Sequence, residues 1–151
     1  MATVNLKHLN KIYPSNKGSV HAVKDLNMQI ADGEFVALLG PSGCGKTSTL
    51  RMVVGLEEIT SGSVAFNDVV VNELSPEKRN VAMAFETYAL YPNFTVSENI
   101  GFPLEVRGIE IGQRKKKVEE IAGMLQITEL LGHKPTQLSG GQQQRVSLGR
   151  A

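Results

Sequence analysis

The stretch "FVALLGPSGCGKTSTL", residues 35–50, limits the possible folds more than any other part of the chain. Its first part, "FVALLG" (35–40), is apolar without alternation, the pattern of a strand covered on both faces in a parallel sheet. The next part, "GPSGCGKT" (40–47), fits G-x-x-x-x-G-K-[ST] between such a strand and the start of a helix. Gly40, Gly43 and Gly45 let the backbone curl until successive N–H groups face one point, an anion nest. A helix beginning near Lys46 adds free N–H groups and the positive end of its dipole. Lys46 supplies a point charge for terminal phosphates, and the Thr47 hydroxyl suits Mg2+. At ordinary Gly and Lys frequencies a chance match arises in about one chain per hundred or fewer, before the strand–loop–helix context is counted. The loop predicts binding of a nucleotide's phosphates. Alone, it leaves kinases, GTPases and many ATPases open.

The rest of the chain reads as two regions. "TVNLKHLNKIY" and "VHAVKDLNMQI" approach apolar–polar alternation and predict strands, with "ADGE" (31–34) as the turn after the second. "KTSTLRMVVG" predicts a helix stopped near Gly55, "SGSVAFNDVVV" a short hairpin, Ser75-Pro76 a helix start, and "NVAMAF" (80–85) another buried strand. After Phe85 the pattern is helical. Thr95 and Glu98 form a capping-box pattern, and Ile111, Val118, Ile121, Ala122 and Leu125 fall near one helical face. "RKKK" (114–117) falls mostly on the other face. It reads as solvated surface rather than a nucleic-acid site, since no aromatics interleave with it and the net charge is only +1. The N-terminus lacks an apolar signal region, and "FVALL" is far too short to span a bilayer. The single Cys44 excludes an internal disulfide, consistent with a reducing compartment. Its place in the loop suits either a thiol acidified by the helix N-terminus or a small residue that simply fits.

A second motif decides among the P-loop proteins. In "LSGGQQQRVSLGRA" (138–151), Ser139 and Gln142 make a capping box, and Gly140-Gly141 allow close backbone approach. Such an N-terminus attracts an anion, to which Ser139 adds a hydroxyl donor. With Gly40–Thr47 as Walker A and Leu138–Gln142 as signature motif, in the right order and separation, the chain resembles the ABC (ATP-binding cassette) ATPases. "AMAFETYALYPNFTVSENIGFPL" (82–104) is similar to the nucleotide-binding subunits of carbohydrate-type importers.

The resemblance implies an α/β P-loop NTPase (RecA-like) core. It carries an N-terminal antiparallel β subdomain and a helical signature subdomain, divided as residues 1–87 and 88–151. It implies ATP and Mg2+ as ligands, with Tyr13, Gly40, Pro41, Ser42, Gly43, Cys44, Gly45, Lys46, Thr47 and Ser48 on ATP. Tyr13 would stack on adenine, with Val20 beside it. Ser139, Gly140, Gly141 and Gln142 would face the ATP of a second ATP-binding subunit in a head-to-tail dimer. Tyr88–Leu104 would contact transmembrane permease subunits, placing a cytoplasmic protein on the inner face of the cell membrane. Thr47 and Glu86 would ligate Mg2+. Glu86 departs from the family's usual Gln and offers acceptors only, so it either adds charge beside the γ-phosphate or is a tolerated substitution.

Other family elements do not appear in these 151 residues. No apolar run ends in Asp-Glu, and His8, His21 and His133 match no switch position. The catalytic set is therefore expected to be missing, along with the C-terminal part of the core sheet, which leaves "FVALLG" and "NVAMAF" as unpaired apolar edges. A partial copy of an importer ATPase, inactive alone, is the reading that results. The alternatives are a short non-hydrolytic module that binds nucleotide or partner, and a non-transport ABC protein.

Overall fold

The two alternating stretches form strands β1 (Val4–Ser15) and β2 (Gly18–Ile30), paired antiparallel from Val4↔Ile30 to Ser15↔Gly18. The computed structural model describes residues 2–16 and 18–151. These divide into two units, one ending at Val81 and one running Ala82–Ala151. Residues 61–70 make the predicted hairpin: β3 (Ser61–Phe66) and β4 (Val69–Val70) turn through Asn67 and Asp68. Both turn residues have left-handed φ, 46° and 65°, the two-residue geometry that suits strand twist. The sheet order is β2-β1-β3-β4, antiparallel throughout.

Alternation along β1 is imperfect for a physical reason. Leu6 and Leu9 are both buried although three residues apart. A bulge between them, with His8 at φ 49°, inserts the extra residue that returns Leu9 to the core face. Asn27 and Asn10 stitch the irregularity by accepting the His8 and Asp25 amides at 2.9 Å. Opposite the bulge, Gly62 (φ 91°) passes so close to the His8 carbonyl that a Cβ would overlap it. From Leu9 onward the period of two resumes, so Leu9, Lys11 and Tyr13 turn inward. Leu6, Leu9, Val23, Met52, Val64 and Val71 form this unit's core.

Helix α1 (Lys46–Val54) follows the P-loop and stops at Gly55 (φ 83°), as expected. Two expectations fail. "FVALLG" and "NVAMAF" are not strands, and Phe35 is 93% and Leu39 90% exposed. A ladder needs a partner, and among the described residues the sheet stops at β2 and β4. The exposed apolar side chains are those anticipated for stretches without neighbours. Ser75-Pro76 opens only a single 3-10 turn, Pro76–Lys78, with no side-chain cap.

In the second unit, α2 (Val96–Val106) begins at the predicted capping box. Thr95 Oγ1 accepts from the Glu98 amide at 3.2 Å, and Glu98 accepts from the Thr95 amide at 2.7 Å. Helix α3 (Ile111–Met124) is capped by Glu110, which receives the Gly112 and Gln113 amides. These backbone bonds hold both carboxyls below the usual carboxylate range. Val118 and Ala122 are buried as the periodicity requires. Ile111, in the first turn of α3, is 69% exposed, while Lys115–Lys117 lie in solvent. Helix α4 (Gly140–Arg150) adds Val146 to a core with Val96, Ile100, Val118, Ala122, Ile127 and Leu138. Among the described residues no helix is long and apolar enough to cross a membrane.

Candidate functional site

The first unit builds a cradle at the start of α1. Gly45 caps the helix in the left-handed conformation (φ 91°), with no side chain capping it and no acidic residue in the first turn. An uncapped, acid-free N-terminus keeps its amides available to an anion. A Cβ on Gly45 would overlap the Ala22 carbonyl oxygen and stand 3.0 Å from Val23 Cγ2, so the loop can lie this close to β2 only with glycine. Lys46 folds back across the loop, donating to the Gly40 and Pro41 carbonyls at 2.8 and 2.7 Å, with Cys44 Sγ at 3.4 Å. Ser42, Gly43, Gly45, Lys46, Thr47 and Ser48 line a hollow of about 450 Å3 with Ala22. Shape and charge fit a polyphosphate.

Tyr13 is half-buried, and its hydroxyl donates to Ser48 Oγ at 3.2 Å, joining it to the first turn of α1. Val20 is its cross-strand partner in β2 and is 56% exposed. The structure thus brings Tyr13, Val20 and residues 40–48 together in one unit.

Sequence reasoning missed what fixes the other end of α1. Arg79 is 6% exposed, and among the described residues its guanidinium bonds backbone carbonyls. Nη1 donates to Met52 and Val53 at 2.8 and 3.0 Å, Nε to Leu74 at 2.8 Å, and Nη2 to Asn72 at 3.0 Å. A cation here also meets the negative end of the helix dipole. Burial lowers its pKa, yet an arginine stays protonated. No local pattern in the sequence points to it.

In the second unit, Ser139 caps α4. Its Oγ accepts from the Gln142 amide at 3.4 Å, while Gln142 Oε1 accepts from the Ser139 amide at 2.9 Å. Ser139, Gly140 and Gly141 are exposed, and the Tyr88 hydroxyl stands 3.5 Å from the position of a Gly140 Cβ. Gln143 ties the preceding turn down through the Pro135 and Leu138 carbonyls.

The other end of α4 holds residues 88–91, a second feature the sequence did not announce. Ser147 Oγ donates to the Tyr88 carbonyl at 3.0 Å, and Arg150 donates to the Ala89 carbonyl. The Arg150 guanidinium also lies 4.3 Å from the Tyr91 ring centroid. Fully buried Asn99 bonds both backbone groups of Tyr91. Glu86 is exposed and belongs to this unit, whereas Thr47 belongs to the other. No cluster of three His, Cys, Asp or Glu suited to a metal occurs among the described residues.

Comparison with known proteins agrees with this geometry. The chain is 54% identical to the sulfoquinovosyl glycerol transport ATP-binding protein SmoE of Agrobacterium fabrum, over all of this chain and 41% of that protein. It is 52% identical to the trehalose import ATP-binding protein SugC of Mycobacterium tuberculosis, over all of this chain and 38% of that protein. To the sn-glycerol-3-phosphate import ATP-binding protein UgpC of Cupriavidus necator the identity is 48%, again over the whole chain and 40% of the relative. The chain thus spans about two-fifths of the length of these relatives. The ATP-binding cassette MJ0796, solved as a post-hydrolysis dimer bound to ADP and Pi, superposes with a TM-score of 0.88. It shares 33% identity and covers 97% of this chain and 68% of its own. The fold is therefore the P-loop, RecA-like one, with an N-terminal β subdomain and a helical region. With the "ABC transporter" sequence profile matching residues 23–151, the chain belongs to the ABC transporter family.

Proposed function

We propose that this chain is part of the ATP-binding, energy-coupling subunit of an ABC importer for a sugar or a related solute. The observation that carries the ATP site is the cradle of residues 40–48: an uncapped helix start, glycine-only close approach, and Lys46 laid across the loop. Tyr13, Gly40, Pro41, Ser42, Gly43, Cys44, Gly45, Lys46, Thr47 and Ser48 bind ATP. The loop amides and Lys46 take the phosphates, and Tyr13 takes the base. The Thr47 hydroxyl would hold Mg2+, which would supply charge neutralisation on the phosphate oxygens when bound. Ser139, Gly140, Gly141 and Gln142 serve the ATP of a second subunit, an arrangement supported by the dimeric state of MJ0796. Tyr88–Leu104 faces the permease subunits. The relatives are named as ATP-binding proteins for sulfoquinovosyl glycerol transport, trehalose import and sn-glycerol-3-phosphate import, which supports a sugar or a related solute. The functional division into a nucleotide-binding part, residues 1–87, and a helical part, residues 88–151, has its boundary a few residues beyond the end of the first compact unit at Val81.

MgATP is expected to raise the melting temperature of the 151-residue chain without release of phosphate. Lys46→Ala is expected to weaken binding by about 10- to 100-fold, the loss of a charge-assisted contact to phosphate. A wild-type chain that melts at the same temperature with and without saturating MgATP sinks the proposal.

A further inference from the structure

Lys11 is a charged side chain where charge is rare: it turns inward from β1 between Leu9 and Tyr13 and is 8% exposed. Its ammonium meets three groups. It donates to the Glu58 carbonyl at 2.7 Å, pairs with Glu57 Oε1 at 2.6 Å, and stands 4.8 Å from the centroid of the Tyr13 ring. Glu57 and Glu58 follow the C-terminal end of α1, whereas the Tyr13 hydroxyl reaches Ser48 near its start. Two residues of one strand therefore fasten the two ends of the P-loop helix, and the ring lies between those attachments.

A lysine needed only to balance Glu57 would be equally well placed in solvent, where its desolvation would cost nothing. The burial instead puts a fixed cation against a fixed ring. We propose that Lys11 is a positioning residue for the nucleotide base. It occupies one face of the Tyr13 ring, holds its plane, and leaves the other face for the purine. Lys11 touches no phosphate in this arrangement and acts only through Tyr13. This rests on the assignment of Tyr13 as the base platform above. It adds the means by which that platform is held: Glu57 anchors Lys11, Lys11 fixes one face of the ring, and Ser48 fixes its hydroxyl.

Separating base from phosphate tests this. Binding of MgATP and of magnesium tripolyphosphate is measured by calorimetry for the 151-residue chain, Lys11→Met, Lys11→Arg, Tyr13→Leu and the Lys11→Met/Tyr13→Leu double variant. Lys11→Met is expected to weaken MgATP by about 2- to 30-fold, the range of a partly desolvated cation–ring contact, with tripolyphosphate unchanged. Lys11→Arg should restore most of the loss, and Lys11→Met should have no further effect on MgATP once Tyr13 is Leu. Equal weakening of both ligands, or an undiminished loss in the Tyr13→Leu background, overturns the inference and leaves Lys11 a structural residue. A wild-type chain that binds neither ligand overturns instead the nucleotide reading beneath it. Should Lys11→Met not fold, Glu57→Gln keeps the lysine and frees it from its anchor. A smaller fall in the ATP-to-tripolyphosphate affinity ratio supports the inference, and an unchanged ratio overturns it.

Discussion

Arg79→Leu is expected to destabilise the unit ending at Val81 by about 3–5 kcal/mol, the scale on which removing a buried charged partner is felt. The side chain is 6% exposed, and its bonds run to the carbonyls of Met52, Val53, Asn72 and Leu74. Leucine fills part of the space but leaves four acceptors without that donor, two of them in the last turn of α1. The lost cation also removes an attraction to the helix dipole worth up to about 2 kcal/mol in partly buried settings. Domains of this size hold only about 5–15 kcal/mol in total, so the variant should unfold at a much lower urea concentration. Arg79→Lys should fall between the two, since it retains the charge but not the planar fork. An unchanged urea midpoint for Arg79→Leu would show that water reaches these carbonyls and that Arg79 does not hold α1.

Gly45→Ala is the second large effect, and it acts on binding before stability. The residue sits at φ 91°, where an L side chain costs about 1–2 kcal/mol. Its Cβ would also overlap the Ala22 carbonyl oxygen and press within 3.0 Å of Val23 Cγ2. The Ala22 backbone cannot swing aside as a flexible side chain would. The loop must lift away from β2, which misaligns the amides at the start of α1. The expected outcome is a loss of about 2–4 kcal/mol in folding and no detectable MgATP-induced rise in melting temperature. Retention of the full wild-type shift would mean that the loop binds phosphate in another conformation.

What the sequence made legible were features whose partners lie a few residues apart. Thr95 with Glu98 and Ser139 with Gln142 name their own capping boxes. The run "SGSVAFNDVVV" names its hairpin, and the 40–47 pattern names its cradle. Features that depend on distant residues were hidden. Arg79 works through carbonyls 26 and 27 residues away, and Lys11 through residues 46 and 47 positions further on. Asn99 looks like an ordinary polar residue in α2 until the backbone of Tyr91 is placed against it. The bulge at His8 was invisible for a related reason, because alternation reads a strand as though its register were uniform. "FVALLG" marks the opposite limit. Its composition suits a buried strand, but strand formation also depends on pairing partners, and the described residues provide none.

The hold of α4 on residues 88–91 has a mechanical consequence. Tyr88 and Ala89 both sit in left-handed backbone, φ 60° and 48°, an arrangement these residues would leave if released. Ser147 and Arg150, at the far end of the helix that Ser139 begins, hold their carbonyls, while their amides donate to the Phe85 and Thr87 carbonyls. The loop is a cocked latch and α4 its bolt. A displacement of residues 88–89 therefore loads the far end of the helix that Ser139 caps, while Tyr91 is held separately by Asn99 of α2.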